Sequence, residues 1–190
     1  TGSSGTYVIM TAHIGEEHNL DPYAPPKKKL AFLKGGVKLK KVPENFTFLT
    51  NNCWYVLGTQ ILQNQTTKAP EFPRDKDDDL KGDTDLQKIT LINLRGKNGP
   101  TGMPVEIIVS QQEGVLVGLT EFNYIKTFDR YGIGGHDRSY YLELLPDVAL
   151  QRTTVRTKIA EDKRLQRALE ITSEMCQMKN MWHDMEEGLL

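Results

Sequence analysis

The strongest constraint in this sequence is a strand that cannot continue. Residues 88–95 (KITLINLR) are apolar and β-prone, and Asn98-Gly99-Pro100-Thr101-Gly102 forces the chain to turn. Arg95 and Lys97 stand just before that turn, one residue apart. In a strand, residues i and i+2 face the same way, so both cations can reach a single anion such as a phosphate group. The alternative is two solvated cations at a hairpin end.

Other runs read as strands around this one. TYVIMTAH (6–13) is a short buried strand ending at Thr11 and His13, and NNCWYVLGTQIL (51–62) is a second. MPVEIIVSQQEGVLVGL supplies a fourth strand and a short fifth. Apolar runs of this kind predict strands covered on both faces, as in a parallel sheet. Pro22, Pro25 and Pro26 make the segment after His13 a loop, and the polar stretch 63–85 reads as a mobile connection. SYYLELLPDVAL reads as a short helix stopped near Pro146. Ile171, Met175, Met178, Trp182 and Met185 are spaced four, three, four and three apart, which places a helix over 157–187 with these residues on its packing face.

Charge is segregated although the net charge is only −1. Seven lysines and no acid lie between Lys27 and Lys41, and six aspartates against two lysines lie between Asp75 and Asp85. The acidic run reads as a solvated loop. The basic run is interrupted by Leu30, Phe32, Leu33 and Gly35-Gly36, a composition that suits either a mobile phosphate-binding segment or a soluble loop. The basic cluster from Arg152 to Arg167 reads as part of an amphipathic helix. No run approaches the roughly 20 apolar residues of a membrane span, and no signal peptide pattern opens the chain, so a cytoplasmic protein is expected. Cys53 and Cys176 are isolated, the four histidines are scattered, and no structural metal is expected.

In their order, these segments resemble the C-terminal half of a RecA-type ATPase core, most like the phage recombinases of the UvsX kind. VIMTAHIGEE resembles the strand whose terminal polar residue contacts a γ-phosphate, which gives His13 that role. LKGGVKL resembles the Gly-Gly closing a DNA-binding loop. That likeness makes Lys27, Lys28, Lys29, Phe32, Lys34, Gly35 and Gly36 candidates for single-stranded DNA, the lysines on backbone phosphates and Phe32 on a base. LINLRGKNGPTG resembles the strand whose two basic residues reach a neighbouring subunit's nucleotide. This gives Arg95 and Lys97 the part of an arginine finger. The same turn is similar to that of DnaB-type hexameric helicases.

The resemblance covers about residues 6–125. It implies an α/β fold, the C-terminal part of a mixed or parallel RecA-like sheet over 1–125, followed by a small helical region over 126–190. It implies a homo-oligomer, filament or ring, that uses ATP and Mg. The sequence has no GxxxxGK[ST] loop to cradle phosphates, and no Walker B aspartate or catalytic glutamate can be assigned. ATP and Mg are therefore expected through a longer polypeptide or a partner, and this chain alone is expected to be inactive. A replicative helicase fragment and a non-catalytic assembly module are the rival readings.

Overall fold

Ten uncharged residues, Asn52–Ile61, form the longest apolar strand and the edge of the largest sheet. A computed structural model of the chain describes residues 8–16, 37–43, 49–82, 84–97, 101–128, 131–136 and 139–181. The described strands are β1 (Ile14–Glu16), β2 (Val37–Leu39), β3 (Asn52–Ile61), β4 (Leu86–Gly96), β5 (Pro104–Ser110), β6 (Gly114–Val115), β7 (Ile133–His136), β8 (Ser139–Leu142) and β9 (Leu145–Leu150). The helices are α1 (Lys76–Lys81), α2 (Val117–Thr127), α3 (Val155–Glu161) and α4 (Lys163–Met181).

The four-stranded sheet has the order β3-β4-β5-β6. Hydrogen bonds from Leu62 N–H to the Leu86 carbonyl (3.1 Å) and from Lys97 N–H to the Asn51 carbonyl (3.1 Å) bracket β3 and β4 as an antiparallel pair. Bonds from Gln111 N–H to Asp85 (3.3 Å) and from Gly102 N–H to Asn93 (2.8 Å) do the same for β4 and β5. Val109 faces Val115 in the antiparallel β5–β6 pair. Two further sheets, β1-β2 and β7-β8-β9, are antiparallel as well. The fold is thus mixed α/β with a C-terminal helix, and among the described residues no pairing is parallel. The expected parallel core is not what these strands form: three residues separate β5 from β6 and two separate β7 from β8, and connections that short impose antiparallel neighbours.

Packing divides the chain into two units, Thr1–Tyr55 with Ile92–Met103, and Val56–Leu91 with Pro104–Leu190. The second unit holds the core. Leu86 and Ile108 from the sheet, Leu119, Phe122 and Ile125 from α2, Tyr140, Leu142 and Leu150 from the small sheet, and Leu165 and Leu169 from α4 form one buried cluster. Phe122 packs edge-on to both Phe72 and Tyr140, with ring centroids 6.1 Å apart in each pair.

Several segments depart from the sequence reading. Residues 8–13 form no strand and are exposed; Ile9 is 92% exposed, and the short β1 begins only at Ile14. The supposed helix in SYYLELLPDVAL is the β8–β9 hairpin. Tyr140, Leu142 and Leu150 are buried while Tyr141 is exposed, a period of two along β8. Gly135 lies in the β7–β8 hairpin at φ +92°, where a Cβ would sit 2.2 Å from the Ser139 carbonyl oxygen. Val117–Leu119, read as the end of a strand, open the helix Val117–Thr127.

The acidic run is not a loop. Asp75 caps α1 by accepting the Asp78 N–H (2.9 Å), Asp77, Asp78 and Asp79 fill the first turn, and Gly82 ends the helix at φ +67°. In α4 the buried residues are Leu165, Ala168, Leu169, Thr172, Ser173 and Cys176. Ile171, Met175 and Met178 flank that stripe half-buried, and Trp182 and Met185 lie outside the described residues.

Candidate functional site

The turn after β4 is held from both sides by asparagines. Asn93 is buried, its side-chain oxygen accepts the Arg95 N–H (3.1 Å), and its carbonyl accepts the Gly102 N–H (2.8 Å). Asn51 at the start of β3 accepts the Lys97 N–H (3.1 Å). Gly102 adopts φ +86°, the left-handed conformation that a glycine supplies cheaply. The result fixes the backbone at both Arg95 and Lys97. Arg95 is half-buried at the end of β4, and Lys97 is exposed in the bend that follows. Nothing in the sequence reading singled out Asn93. Its signal was a polar residue inside an apolar strand, two positions before the first cation.

Cys53 on β3 is half-buried near Arg95. Burial pushes its thiol up, and the Arg95 charge offsets only part of that, so it stays a thiol near neutral pH.

His13 belongs to a different sheet. It is exposed and lies just ahead of β1, and its carbonyl accepts the Lys40 N–H (2.8 Å) in the β1–β2 ladder. The carboxyl edge that the resemblance assigns to His13, Arg95 and Lys97 requires parallel strands. In the antiparallel sheet the end of β4 instead lies beside the start of β3. Lys27, Lys28, Lys29, Phe32, Lys34, Gly35 and Gly36 lie outside the described residues.

The amide cradle that would hold a triphosphate is not in the sequence. Among the described residues no group of three or more metal-capable side chains gathers to hold Mg. None of the described helices is long and apolar enough to cross a membrane.

A second polar centre joins the acidic run to arginines of the 152–167 cluster inside the core-bearing unit. Arg156 of α3 is 7% exposed and donates to Asp85 (3.0 Å) and to Glu113. The Ser110 hydroxyl donates to the other oxygen of Asp85. Burial pushes the Asp85 carboxyl up, but the Arg156 and Ser110 hydrogen bonds and the arginine charge outweigh it and hold the group below its ordinary range. Arg152 pairs with Asp79 (2.8 Å), and Arg74 pairs with Asp78 (2.9 Å). The acidic run therefore meets Arg74, Arg152 and Arg156 in space. This arrangement is structural: every strong donor in it is already matched.

A groove opens beside this network. It has a volume of about 620 Å³ and lies between β6, the start of α2, α3 and the first turns of α4. Val115, Leu116, Val117 and Ala160 line its apolar part, and Glu121 stands on its wall. Comparison with family models, with curated proteins and with solved structures returns no match for this chain.

Proposed function

We propose that this chain is the DNA-binding, charge-supplying part of a RecA-type ATPase of the phage recombinase kind. It works as a homo-oligomer on single-stranded DNA, and its Arg95 and Lys97 serve a triphosphate held mainly by another copy or by a longer polypeptide. The observation that carries this reading is the end of β4, where Asn93 and Asn51 fix two neighbouring cations ahead of a glycine turn. Positive groups set in advance beside developing negative charge lower a barrier because no reorganisation is needed at the moment of reaction.

The exposed apolar strand β3 supports the same reading. Trp54, Val56, Leu57 and Ile61 are each about half exposed, as expected of a sheet that continues in the working assembly. Lys27–Lys29 and Lys34 neutralise DNA backbone phosphates in this scheme, and ATP and Mg are bound through the phosphate-cradling polypeptide.

The test is DNA-stimulated ATP hydrolysis after mixing the chain with a polypeptide that carries a phosphate-binding loop. Hydrolysis is expected to appear, and to fall by about 10³-fold in Arg95→Ala or Lys97→Ala while nucleotide binding survives. Unchanged turnover in both variants would remove the finger role. Charge removal at Lys27–Lys29 is expected to weaken DNA binding and flatten its salt dependence. Electron microscopy separates open filaments from the closed rings of a helicase. One observation favours the non-catalytic assembly module: the second unit closes its own core without help. That reading wins if no partner restores hydrolysis.

A further inference from the structure

We propose that the open face of the four-stranded sheet docks a second copy of this chain, the two sheets stacking face to face across a two-fold axis. Alternation along the strands separates the two faces. Leu62, Leu86 and Ile108 belong to the buried cluster that α2 completes, so even-numbered positions of β3, β4 and β5 take that side and odd-numbered positions the other. The hydrogen bond that sets Leu62 beside Leu86 keeps the odd positions of β3 and β4 together, and Val109 opposite Val115 adds β6. Ile89, Leu91, Ile107 and Val109 are half-buried, yet among the described residues they pack neither within that cluster nor against it. Leu57, Ile61, Val105 and Val115 beside them are 53%, 50%, 42% and 56% exposed.

Charge and area select the occupant. Three outward positions on each of β3, β4 and β5 and one on β6 make ten, and none is charged; Thr59 and Gln87 are the polar ones among them. The ion pair of the same sheet, Lys88 with Glu106 (2.9 Å), lies on the side that α2 covers, where Asn123 reaches Glu106 (3.4 Å). A solvated sheet face has the reverse pattern, with polar residues outward. A face without charges gives a foreign partner no electrostatic means of recognition, and it meets its own copy across a two-fold axis without like-charge repulsion. Stacked sheets interdigitate their side chains at about −30°, which a neutral aliphatic face can do with itself. The ten positions cover roughly 300 Å² of sheet in projection, which lies among the largest apolar patches a monomer exposes. With the rim included, two such faces bury about 1,000 Å² in total, the small end of specific interfaces. The dimer therefore forms in the micromolar range, and the face is open in dilute solution.

The inference rests on the reading above for self-association alone; neither ATP nor DNA enters its test. Sedimentation equilibrium of the full chain from about 1 to about 300 µM should show a monomer passing to a dimer. Sodium sulfate should tighten that dimer, since apolar burial gains from an excluded salt while ion pairing is screened by it. Leu57→Lys and Val105→Lys should each weaken it at least about tenfold, because the two-fold axis brings both copies' lysines into the interface. Val56→Lys, at a side chain as exposed as Leu57 (53%) but on the other side of β3, should leave the dissociation constant within about twofold. Far-UV circular dichroism and thermal melting at the lowest concentration verify that all three variants fold. A monomer throughout the range overturns the proposal, whether the face stays open or residues of the same chain cover it. So does a dimer that survives both Leu57→Lys and Val105→Lys, or one that Val56→Lys weakens equally, which would place the contact at the edge of β3. If hydrolysis appears with a monomeric chain, this proposal fails alone; if the dimer forms and hydrolysis never appears, the ATPase reading fails alone.

Discussion

Strands β3 and β5 belong to one sheet and have similarly apolar sequences, yet only one of them is covered. β5 lies under α2: the Ile108 N–H donates to the Thr120 hydroxyl (2.9 Å), Asn123 reaches Glu106 (3.4 Å), and Ile108 is fully buried. No described helix covers β3, and from Val56 to Ile61 every residue is exposed. The comparison teaches that an apolar β-prone run predicts extension well and burial poorly. Extension is a local preference of β-branched and aromatic residues, whereas burial depends on what else packs there.

The sharpest way to break the comparison lies in the network beside the covered strand. Arg156→Ala leaves the buried Asp85 carboxylate with only the Ser110 hydroxyl as a partner, and unfolding in urea should show a loss of about 3 kcal/mol. The same network sets an acid limit. The Asp85 carboxyl is depressed in the folded state, so its contribution is present above its ordinary value of 3.8 and is lost as pH falls through the folded value. In Arg156→Ala that acid-dependent loss should disappear from the stability profile.

Truncations address the two strands directly. Ile108→Ala should cost about 3 kcal/mol through the cavity it leaves, and Val56→Ala in β3 less than about 1 kcal/mol. Equal costs would mean that β3 is packed as β5 is. On the helix that covers β5, a Cβ at Gly118 would meet Ile159 Cγ2 at 2.6 Å. Gly118→Ala should therefore destabilise by about 2 kcal/mol, although alanine is the better helix former. Thermal melting of this variant checks whether α2 and α3 are as closely apposed as described.

The smallest expected effect belongs to Glu121. Its folded-state value is raised to about 7 from an ordinary 4.5, so the folded protein holds the extra proton between those limits. Stability should then decline as pH rises from 4.5 to 7 and stay level above. Glu121→Gln should be more stable than the parent by about 1 kcal/mol at pH 8, screening by solvent included, and indistinguishable from it at pH 4. A flat difference across that range would show that Glu121 is fully solvated.

The sequence disclosed some of this and concealed the rest for physical reasons. Asn98, Gly99 and Pro100, on which the turn after Arg95 was read, lie outside the described residues, while the hydrogen bond from Gly102 N–H to Asn93 pairs the strands on either side of them. The C-terminal helix was legible by period, but its buried face was misplaced. Methionines and Ile171 outshone Thr172, Ser173 and Cys176, whose hydroxyls and thiol are buried because they find acceptors nearby: Thr172 donates to Ala168 and Ser173 to Glu170. Helix α2 was hidden because VLVGL scores as a strand, and tertiary packing overrides so short a preference. The β8–β9 hairpin was not legible from SYYL, because two neighbouring tyrosines give no alternation and only the fold decides that Tyr140 is buried and Tyr141 exposed. The pairing of Asp85 with Arg156 joins residues 71 positions apart, and neither the acidic run nor the Arg152–Arg167 cluster, read as a helix face, named its partner.

Hydroxyl-radical footprinting of the folded chain, read residue by residue by mass spectrometry, tests the central contrast most directly. Trp54, Val56 and Leu57 should be oxidised at rates typical of open surface, while Phe122, Leu119 and Leu169 should be protected. Protection of Trp54 equal to that of Phe122 would contradict the account, because β3 would then be a covered strand with no edge left to offer.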